Sequence, residues 1–207
     1  MRYDLAFATG VLSRHNHNPT QAHLEASKRV LQYLKGLKNF SLTYRWGAPL
    51  QLEAYADASY NCYPSKGKSI GGYLINLKGN SPIAWQLKRQ PLVATSTCYA
   101  EYVALYHVGH MIEYMNYIVK GAGFQSYEVE VHEDNNAAIV LATKQSNHAT
   151  TRALKIKYSK VHEWINEGLF YLSKVATEDQ LSDFLTKAFA EERFVELRDR
   201  SNHKYNH

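Results

Sequence analysis

The sequence predicts an α/β fold: a five-stranded mixed sheet, three antiparallel strands and then parallel ones, flanked by helices and preceded by an N-terminal helical segment. Apolar residues alternate with period two around residues 52–56 and through SIGGYLINLKGNSPIAWQLK, which indicates consecutive antiparallel strands. After residue 96, segments with helical spacing alternate with short apolar segments. This order indicates helical crossovers between parallel strands, so helices are expected on both faces of the sheet.

The N-terminal segment is predicted to contain a helix and a strand. Residues 18–20, Asn-Pro-Thr, offer a helix cap and a proline suited to a first turn, and Gly36 marks the end of the helix. The alternation of Phe40, Leu42 and Tyr44 indicates a strand. The Gly-Ala-Pro break near residues 47–49 then separates this segment from the main domain.

The second half is predicted to alternate helix and strand. A long helix runs from Thr97 to about Lys120 and ends at the glycines that follow. The next segments in order are the strand EVEVHED, the helix NNAAIVLATK, the loop QSNHATTR, the helix KIKYSKVHEWINEG, the strand LFYLSKV, the helix TEDQLSDFLTKAF and its charged extension AEERFVELRDR. The predicted division is an N-terminal segment over residues 1–48, a main domain over 49–190, and a charged tail over 191–207.

The composition narrows the class of protein. With 207 residues, 45% of them hydrophobic, the chain is long enough to bury one good core. A formal net charge of +5 favours polyanionic partners. The two cysteines are far apart in the sequence, which argues against a disulfide framework. The ten histidines lack the spacing of metal ligands, which argues against a zinc site. No apolar run is long enough for a membrane span. We therefore expect an unexported protein of a reducing compartment.

Four acids form the candidate site. Asp57 ends the first core strand and Asp134 ends the fourth, where ligands of α/β sheets gather. Glu101 lies in the first turns of the long helix, and Asp183 lies on the last helix, off its buried stripe. Singly, Asp134 is also a suitable helix cap, and the two helical acids are also explained as solvated charges. Asp57 is the exception, because an acid ends an apolar strand there.

Together the four acids predict a metal centre. Clustered carboxylates repel one another and require cations, and Mg²⁺ prefers hard oxygen ligands. Two such ions ~4 Å apart support in-line phosphodiester hydrolysis. The segment YADA does not indicate a polymerase site, because Ala58 stands where that signature has a second acid.

Five segments resemble the RNase H domain of copia-type (Pseudoviridae) retrotransposon Pol polyproteins. They are YADASY, KSIGGYLINLKGNSPIAWQLKRQPLVATST, AEYVAL, HEDNNAAIVLA, which is similar to the family's CDNQSAI.LA, and ATEDQLSDFLTKAF. The resemblance covers roughly residues 50 to 190. Residues 1–46 resemble the end of the reverse-transcriptase region that precedes RNase H in these polyproteins.

The resemblance implies an RNase H-like fold and endonucleolytic cleavage of the RNA strand of RNA–DNA hybrids during retrotransposon reverse transcription. It implies two Mg²⁺ ions, with Mn²⁺ as a substitute, held by four catalytic, metal-binding acids: Asp57, Glu101, Asp134 and Asp183. The implied partners are the hybrid and the reverse-transcriptase and integrase parts of the polyprotein, with no membrane. The implied location is intracellular, in cytoplasmic virus-like particles and in the nucleus.

The chain departs from the family in two places. An accessory acid before Ala100 is missing, since Ser96, Thr97, Cys98 and Tyr99 stand where the family has Ser-Ser-Thr-Glu. In the stretch resembling RTKHIDIRYHFIRE, the family's His, Asp and second His become Ala153, Lys155 and Ser159. Basic residues of this stretch, and two near residue 88, are predicted to contact nucleic-acid phosphates. For those of the predicted helix, a solvated helix face is an equally good explanation. These residues are Lys88, Arg89, Arg152, Lys155, Lys157 and Lys160.

Two alternatives to an active nuclease remain open. The chain is also explained as a catalytically silent or domesticated Pol fragment that only binds nucleic acid or a partner, because a fold does not guarantee function. A different member of the superfamily, such as an integrase or resolvase acting on DNA, is less consistent with the helix carrying AEY followed by EDNNAA.

Overall fold

The computed structural model describes residues 2–45, 47, 50–63, 67–144 and 152–202. Within them the chain forms one five-stranded sheet in the order β3-β2-β1-β4-β5. The strands are β1 (Leu52–Tyr63), β2 (Lys68–Leu77), β3 (Pro82–Arg89), β4 (Val129–Glu133) and β5 (Phe170–Lys174). β1 pairs with β2 and β2 with β3 in antiparallel register, and β4 pairs with both β1 and β5 in parallel register. The predicted mixed sheet is confirmed.

Seven α-helices are found in the described residues. They are α1 (Ala6–Ser13), α2 (Gln21–Gly36), α3 (Thr97–Gly121), α4 (Asn136–Thr143), α5 (Arg152–Asn166), α6 (Asp183–Thr186) and α7 (Glu191–Asn202). The end of α2 at Gly36 and the span of α3 from Thr97 to Gly121 agree with the sequence prediction. α2 is capped by Thr20 and begins at Gln21, so Pro19 precedes the helix, contrary to the prediction that it lies in the first turn. α5 begins before the predicted Lys155, at Arg152. The predicted loop over 145–152 otherwise lies outside the described residues.

The main core lies between the sheet and the long helix α3. Small side chains of β1, such as Ala54 and Ala56, face Ala100 and Ala104 of α3, so the helix lies close to the strands. α5 covers the same side and packs tightly on α3, because a Cβ at Gly109 would lie 2.5 Å from the Trp164 ring. This arrangement fixes the N-terminal end of α3 near the middle of the sheet.

The opposite face of the sheet is covered by both ends of the chain. Tyr3 is fully buried against Phe184, with ring centroids 5.5 Å apart, and shares a hydrogen bond of 2.9 Å with Ser201 Oγ. Trp85 lies partly buried in this cluster. The remaining members include Leu74, Leu181, Leu185 and Leu197. The predicted division of the chain at residues 48 and 190 stays a prediction.

Two predicted elements are wrong. Phe40, Leu42 and Tyr44 belong to an extended segment outside any strand, because its hydrogen bonds go to the β2–β3 turn instead of a strand: Ser81 N donates to Thr43 O at 3.3 Å. No single helix covers TEDQLSDFLTKAF either. A 3₁₀ turn at Thr177–Asp179 is followed by the four-residue α6, and α7 is a separate helix.

The interruption of the predicted last helix has a local cause. Gln180 is buried and its side chain donates to Ala56 O at 2.9 Å and accepts from Ser182 Oγ at 3.0 Å. These bonds hold the backbone of residue 180 in an extended conformation. The short helix α1 and the 3₁₀ turn Tyr3–Leu5 were not predicted from the sequence.

Candidate metal centre

Three of the four predicted acids meet at one edge of the sheet. β1 and β4 are parallel neighbours whose register pairs Tyr55 with His132, so Asp57 and Asp134 each lie two residues further along. Asp183 is the first residue of α6. One carboxylate oxygen from each of Asp57, Asp134 and Asp183 lies within 4.8 Å of the others. The expected convergence is therefore present, although Asp57 does not end its strand as predicted: β1 continues to Tyr63, past the last residue that pairs with β4.

Asp57 is fully buried and points towards α6. Successive strand residues face opposite sides of a sheet, and Ala56 belongs to the core beneath α3 while Tyr55 packs on the other side. On that side the Thr186 hydroxyl donates a hydrogen bond to Asp57 Oδ2. The hydroxyl fixes the orientation of the carboxylate.

A glycine allows α6 to approach Asp57. Gly72 of β2 is the register partner of Asp57. A Cβ at this position would lie 2.9 Å from Thr186 Cγ2 and 3.2 Å from Leu185 Cβ. Any larger residue would therefore push α6 away from the sheet.

Lys187 forms ion pairs with two of the three acids. Its Nζ lies 2.8 Å from Asp183 Oδ1 and 3.1 Å from Asp57 Oδ1. Burial alone would lower the pKa of Lys187, but the two carboxylates outweigh burial and raise this pKa above its ordinary value. Lys187 therefore neutralises part of the negative charge when no other cation is bound.

Asp183 is buried, contrary to the prediction that it lies off the buried stripe of a helix. It begins a helix too short to have an exposed side, and α6 packs against both β1 and β2. Burial, followed by the charge of Asp57, raises the pKa of Asp183 to about 7 despite the hydrogen bond from Lys187. Its carboxylate form consequently depends on nearby positive charge.

Glu101 lies beside this group but outside the set that converges within 4.8 Å. It is buried on α3, and its Oε2 has no hydrogen-bond partner among the described residues. Burial raises the pKa of Glu101 well above its ordinary value, and the charges of Asp57, Glu133 and Asp134 raise it further. The structure thus places Glu101 next to the three aspartates and on the α3 face of the sheet.

Asp134 is held by side chains from the end of β5 and from the 3₁₀ turn after it. The Thr177 hydroxyl donates to Asp134 Oδ2 at 2.9 Å, and Lys174 Nζ donates to its backbone carbonyl. The cap of α4 is Asn135, whose Oδ1 accepts from Ala138 N at 3.1 Å. Asp134 is therefore not the helix cap, and its carboxylate faces the other aspartates.

Sequence reasoning missed Glu133, a fully buried acid at the end of β4. Burial, opposed by the hydrogen bond from Asn135 N and assisted by the charge of Asp134, raises the pKa of Glu133 to about 8. A signal was available, because Val129, Val131 and Glu133 alternate on the buried face of the strand. An acid at a core position of that alternation indicates a special role.

The acids fit hard divalent cations. All the donor groups are carboxylates, the ligand type that Mg²⁺ and Mn²⁺ prefer. Glu101 Oε2 and Glu133 Oε2 are buried oxygens without a partner among the described residues, and a buried carboxylate is costly unless a cation or donor compensates it. Asp57, Glu101, Asp134 and Asp183 are therefore suited to hold metal ions.

The predicted phosphate-binding residues lie on β3 and α5. Lys160 is paired with Glu113 at 3.4 Å and Glu163 at 2.7 Å on the surface of α3 and α5. Lys157 Nζ lies 3.6 Å from the centroid of the Tyr106 ring. Lys88, Arg89 and Lys155 are exposed, and the side chain of Arg152 lies outside the described residues. Their contacts with nucleic acid stay predictions.

Known proteins resemble this chain in sequence over most of its length. It is 33% identical over 193 residues to the retrovirus-related Pol polyprotein from transposon TNT 1-94 of Nicotiana tabacum. It is 31% identical over 194 residues to the Pol polyprotein from transposon RE1 of Arabidopsis thaliana. Each match covers 93% of this chain but only 14% and 13% of the two polyproteins. No protein-family model matches.

The fold also has known relatives. The N-terminal RNase H domain of Rv2228c from Mycobacterium tuberculosis, solved as a fusion with maltose-binding protein, superposes with a TM-score of 0.50 at 13% identity. The superposition covers 74% of this chain and 99% of that chain. At this identity the likeness establishes the fold alone. The described helices include none that is both long and apolar enough to cross a lipid bilayer.

Proposed function

We propose that this chain, which has an RNase H fold and whose sequence relatives are Pol polyproteins of copia-type retrotransposons, is a metal-dependent endonuclease for the RNA strand of RNA–DNA hybrids. One observation carries this proposal: carboxylate oxygens of Asp57, Asp134 and Asp183 lie within 4.8 Å of one another. Glu101 adds a fourth acid next to them.

We assign Asp57, Glu101, Asp134 and Asp183 as ligands of two divalent cations, Mg²⁺ or Mn²⁺. When bound, such cations supply an activated water and stabilise the leaving oxygen in phosphodiester hydrolysis. The chain itself positions the acids. Thr186 orients Asp57, Thr177 orients Asp134, and the packing of α6 fixes Asp183.

The Lys187 ammonium has a defined role in this proposal. It holds the Asp57 and Asp183 carboxylates together in the metal-free protein. Both oxygens that it contacts belong to the proposed metal ligands. We propose that Lys187 releases at least one of them when cations bind and that its charge is then available for a phosphate of the substrate.

The biological setting is proposed from the relatives, of which this chain spans about one seventh. We propose that the hybrid arises during reverse transcription and that the reverse-transcriptase and integrase parts of a Pol polyprotein are the protein partners. The corresponding location is intracellular, in cytoplasmic particles and in the nucleus. Exposed basic residues, such as Lys88, Arg89 and Lys155, would provide phosphate contacts without reading bases.

The experiment incubates the full chain with a labelled RNA–DNA hybrid and Mg²⁺ or Mn²⁺. The parent is expected to cut the RNA, and Asp57→Asn and Glu101→Gln are expected to lower the rate by roughly 100-fold or more, since even indirect partners of a metal site are worth 10- to 100-fold. Glu130→Gln is the matched control. Glu130 is an acid of β4 that is paired with Lys78 and lies away from the site. Metal binding without any cutting would instead favour a catalytically silent Pol fragment.

A further inference from the structure

Around the end of β4, the acids on the two faces of the sheet differ in whether a cation lies next to them. On the α6 face, Asp57 and Asp183 contact Lys187. On the α3 face, Glu101 and Glu133 have no ion-pair partner among the described residues, and an oxygen of each has no hydrogen-bond partner there. Both side chains are more than nine-tenths buried. The α3 face therefore has uncompensated carboxylate oxygens.

Glu133 is oriented towards this uncompensated region. Val129, Val131 and Glu133 are the buried residues of β4, and the two valines pack in the core beneath α3. Because strand residues alternate, Glu133 faces the α3 side. Asn135 N donates to Glu133 Oε1 at 2.9 Å. This bond leaves Oε2 as the free oxygen.

We propose that Glu133 is an additional ligand of the metal centre, acting with Glu101 on a divalent cation of the Mg²⁺ or Mn²⁺ class at the α3 face. A buried carboxylate oxygen without a partner is costly, and a hard cation is the group that compensates it best. The role of Glu133 as a ligand rests on the proposed function of the site.

A purely structural role for Glu133 makes a different prediction. Its Oε1 accepts a backbone hydrogen bond just before α4, so it is also explained as a loop-stabilising residue. Glutamine has the same size and keeps an Oε1 acceptor for Asn135 N. Glu133→Gln therefore removes the charge and retains the structural contact.

The test measures Mn²⁺ binding to the full 207-residue chain by calorimetry and by electron paramagnetic resonance of free Mn²⁺. We expect Glu133→Gln to weaken Mn²⁺ affinity by about tenfold or more, and Glu130→Gln on the same strand to leave it unchanged. Glu133→Asp keeps the charge and is expected to bind Mn²⁺ more tightly than Glu133→Gln. Thermal unfolding with and without Mn²⁺ verifies that each variant is folded.

Two outcomes overturn the inference: an affinity of Glu133→Gln within twofold of the parent, or equal affinities of the Gln and Asp variants. The readout does not depend on cleavage. A chain that fails to cut the hybrid but binds Mn²⁺ through Glu133 contradicts the proposed function and supports the inference. A chain that cuts the hybrid, but whose Mn²⁺ affinity is the same in the parent and in Glu133→Gln, supports the proposed function and contradicts the inference.

Discussion

The Lys187 ammonium, directly after α6, lies 3.1 Å from Asp57 Oδ1. It therefore neutralises the most buried acid of the central strand β1. The same ammonium contacts Asp183 one helical turn earlier. Lys187 thus occupies part of the space in which metal ions are expected. The relationship makes the stability of the metal-free protein and its affinity for cations interdependent.

Lys187→Met is expected to destabilise the metal-free protein by about 1–3 kcal/mol, because it leaves Asp57 and Asp183 without their cation. The same change is expected to strengthen Mn²⁺ binding, since it removes a competing positive charge. Thermal unfolding and Mn²⁺ titration measure the two effects. Lys78→Met, which removes a half-exposed cation paired with Glu130 at 3.6 Å, is the control. Weaker Mn²⁺ binding by Lys187→Met would contradict the competition.

Thr186→Val is expected to cost about 1–3 kcal/mol of stability, because Asp57 loses a buried hydrogen-bond donor at constant side-chain shape. The rate of hybrid cleavage is expected to fall as well, since the orientation of Asp57 is no longer fixed. Thr143→Val is a suitable control, because that hydroxyl is exposed and bonds the Ile139 and Val140 carbonyl oxygens of its own helix α4. Identical unfolding curves for the two variants would show that the Thr186–Asp57 contact has no energetic weight.

Gly72→Ala tests the close approach of α6 to the sheet. Because the added methyl group would meet Thr186 and Leu185 at 2.9 and 3.2 Å, a loss of about 1–3 kcal/mol and a lower Mn²⁺ affinity are expected. Gly121→Ala at the end of α3 adds a methyl group with nothing within 4 Å. Chemical denaturation compares the pair. A Gly72→Ala protein as stable as Gly121→Ala would disprove the packing constraint.

The stability of the metal-free protein is expected to fall as pH rises from about 5 to 8. The pKa of Asp183 is raised from 3.8 to about 7 and that of Glu133 from 4.5 to about 8. An acid with a raised pKa in the folded state stabilises the fold below its unfolded-chain pKa and loses this contribution as pH passes the folded value. Unfolding midpoints in a chelating buffer measure the trend.

Divalent cations should reverse this trend. Because carboxylates must be deprotonated to bind metal, Mg²⁺ is expected to raise the unfolding midpoint more at pH 8 than at pH 6. Replacing both Asp183 and Glu133 by their amides should flatten the pH dependence of the metal-free protein. A midpoint that rises from pH 5 to 8 without metal would contradict the assigned directions.

Much of the fold follows from sequence patterns. Period-two alternation located all five strands, and helical spacing located α2 and α3. The wrong strand at Phe40 to Tyr44 shows the limit of such patterns. Alternation reports which residues are buried, but the pairing partner of an extended segment is decided by tertiary contacts, here with Ser81 in a turn.

The candidate site was predicted in part. The meeting of Asp57 and Asp134 follows from their positions on two neighbouring parallel strands, a relation that topology determines, but the continuation of β1 beyond Asp57 was not predicted. Lys187, Thr186 and Gly72 could not be assigned, because their roles depend on how closely α6 packs on β1 and β2. Asp183 was expected on an exposed helix side, and the side chain of Gln180 altered that geometry by breaking the helix.

The central claim is tested most directly by labelling each strand of an RNA–DNA hybrid separately and comparing the parent chain with Asp183→Asn in Mg²⁺. The account predicts cuts in the RNA strand alone, only with Mg²⁺ or Mn²⁺, and a loss of roughly 100-fold or more in the variant. No metal-dependent cutting of the RNA by the folded parent chain, or equal cutting by parent and variant, would contradict it.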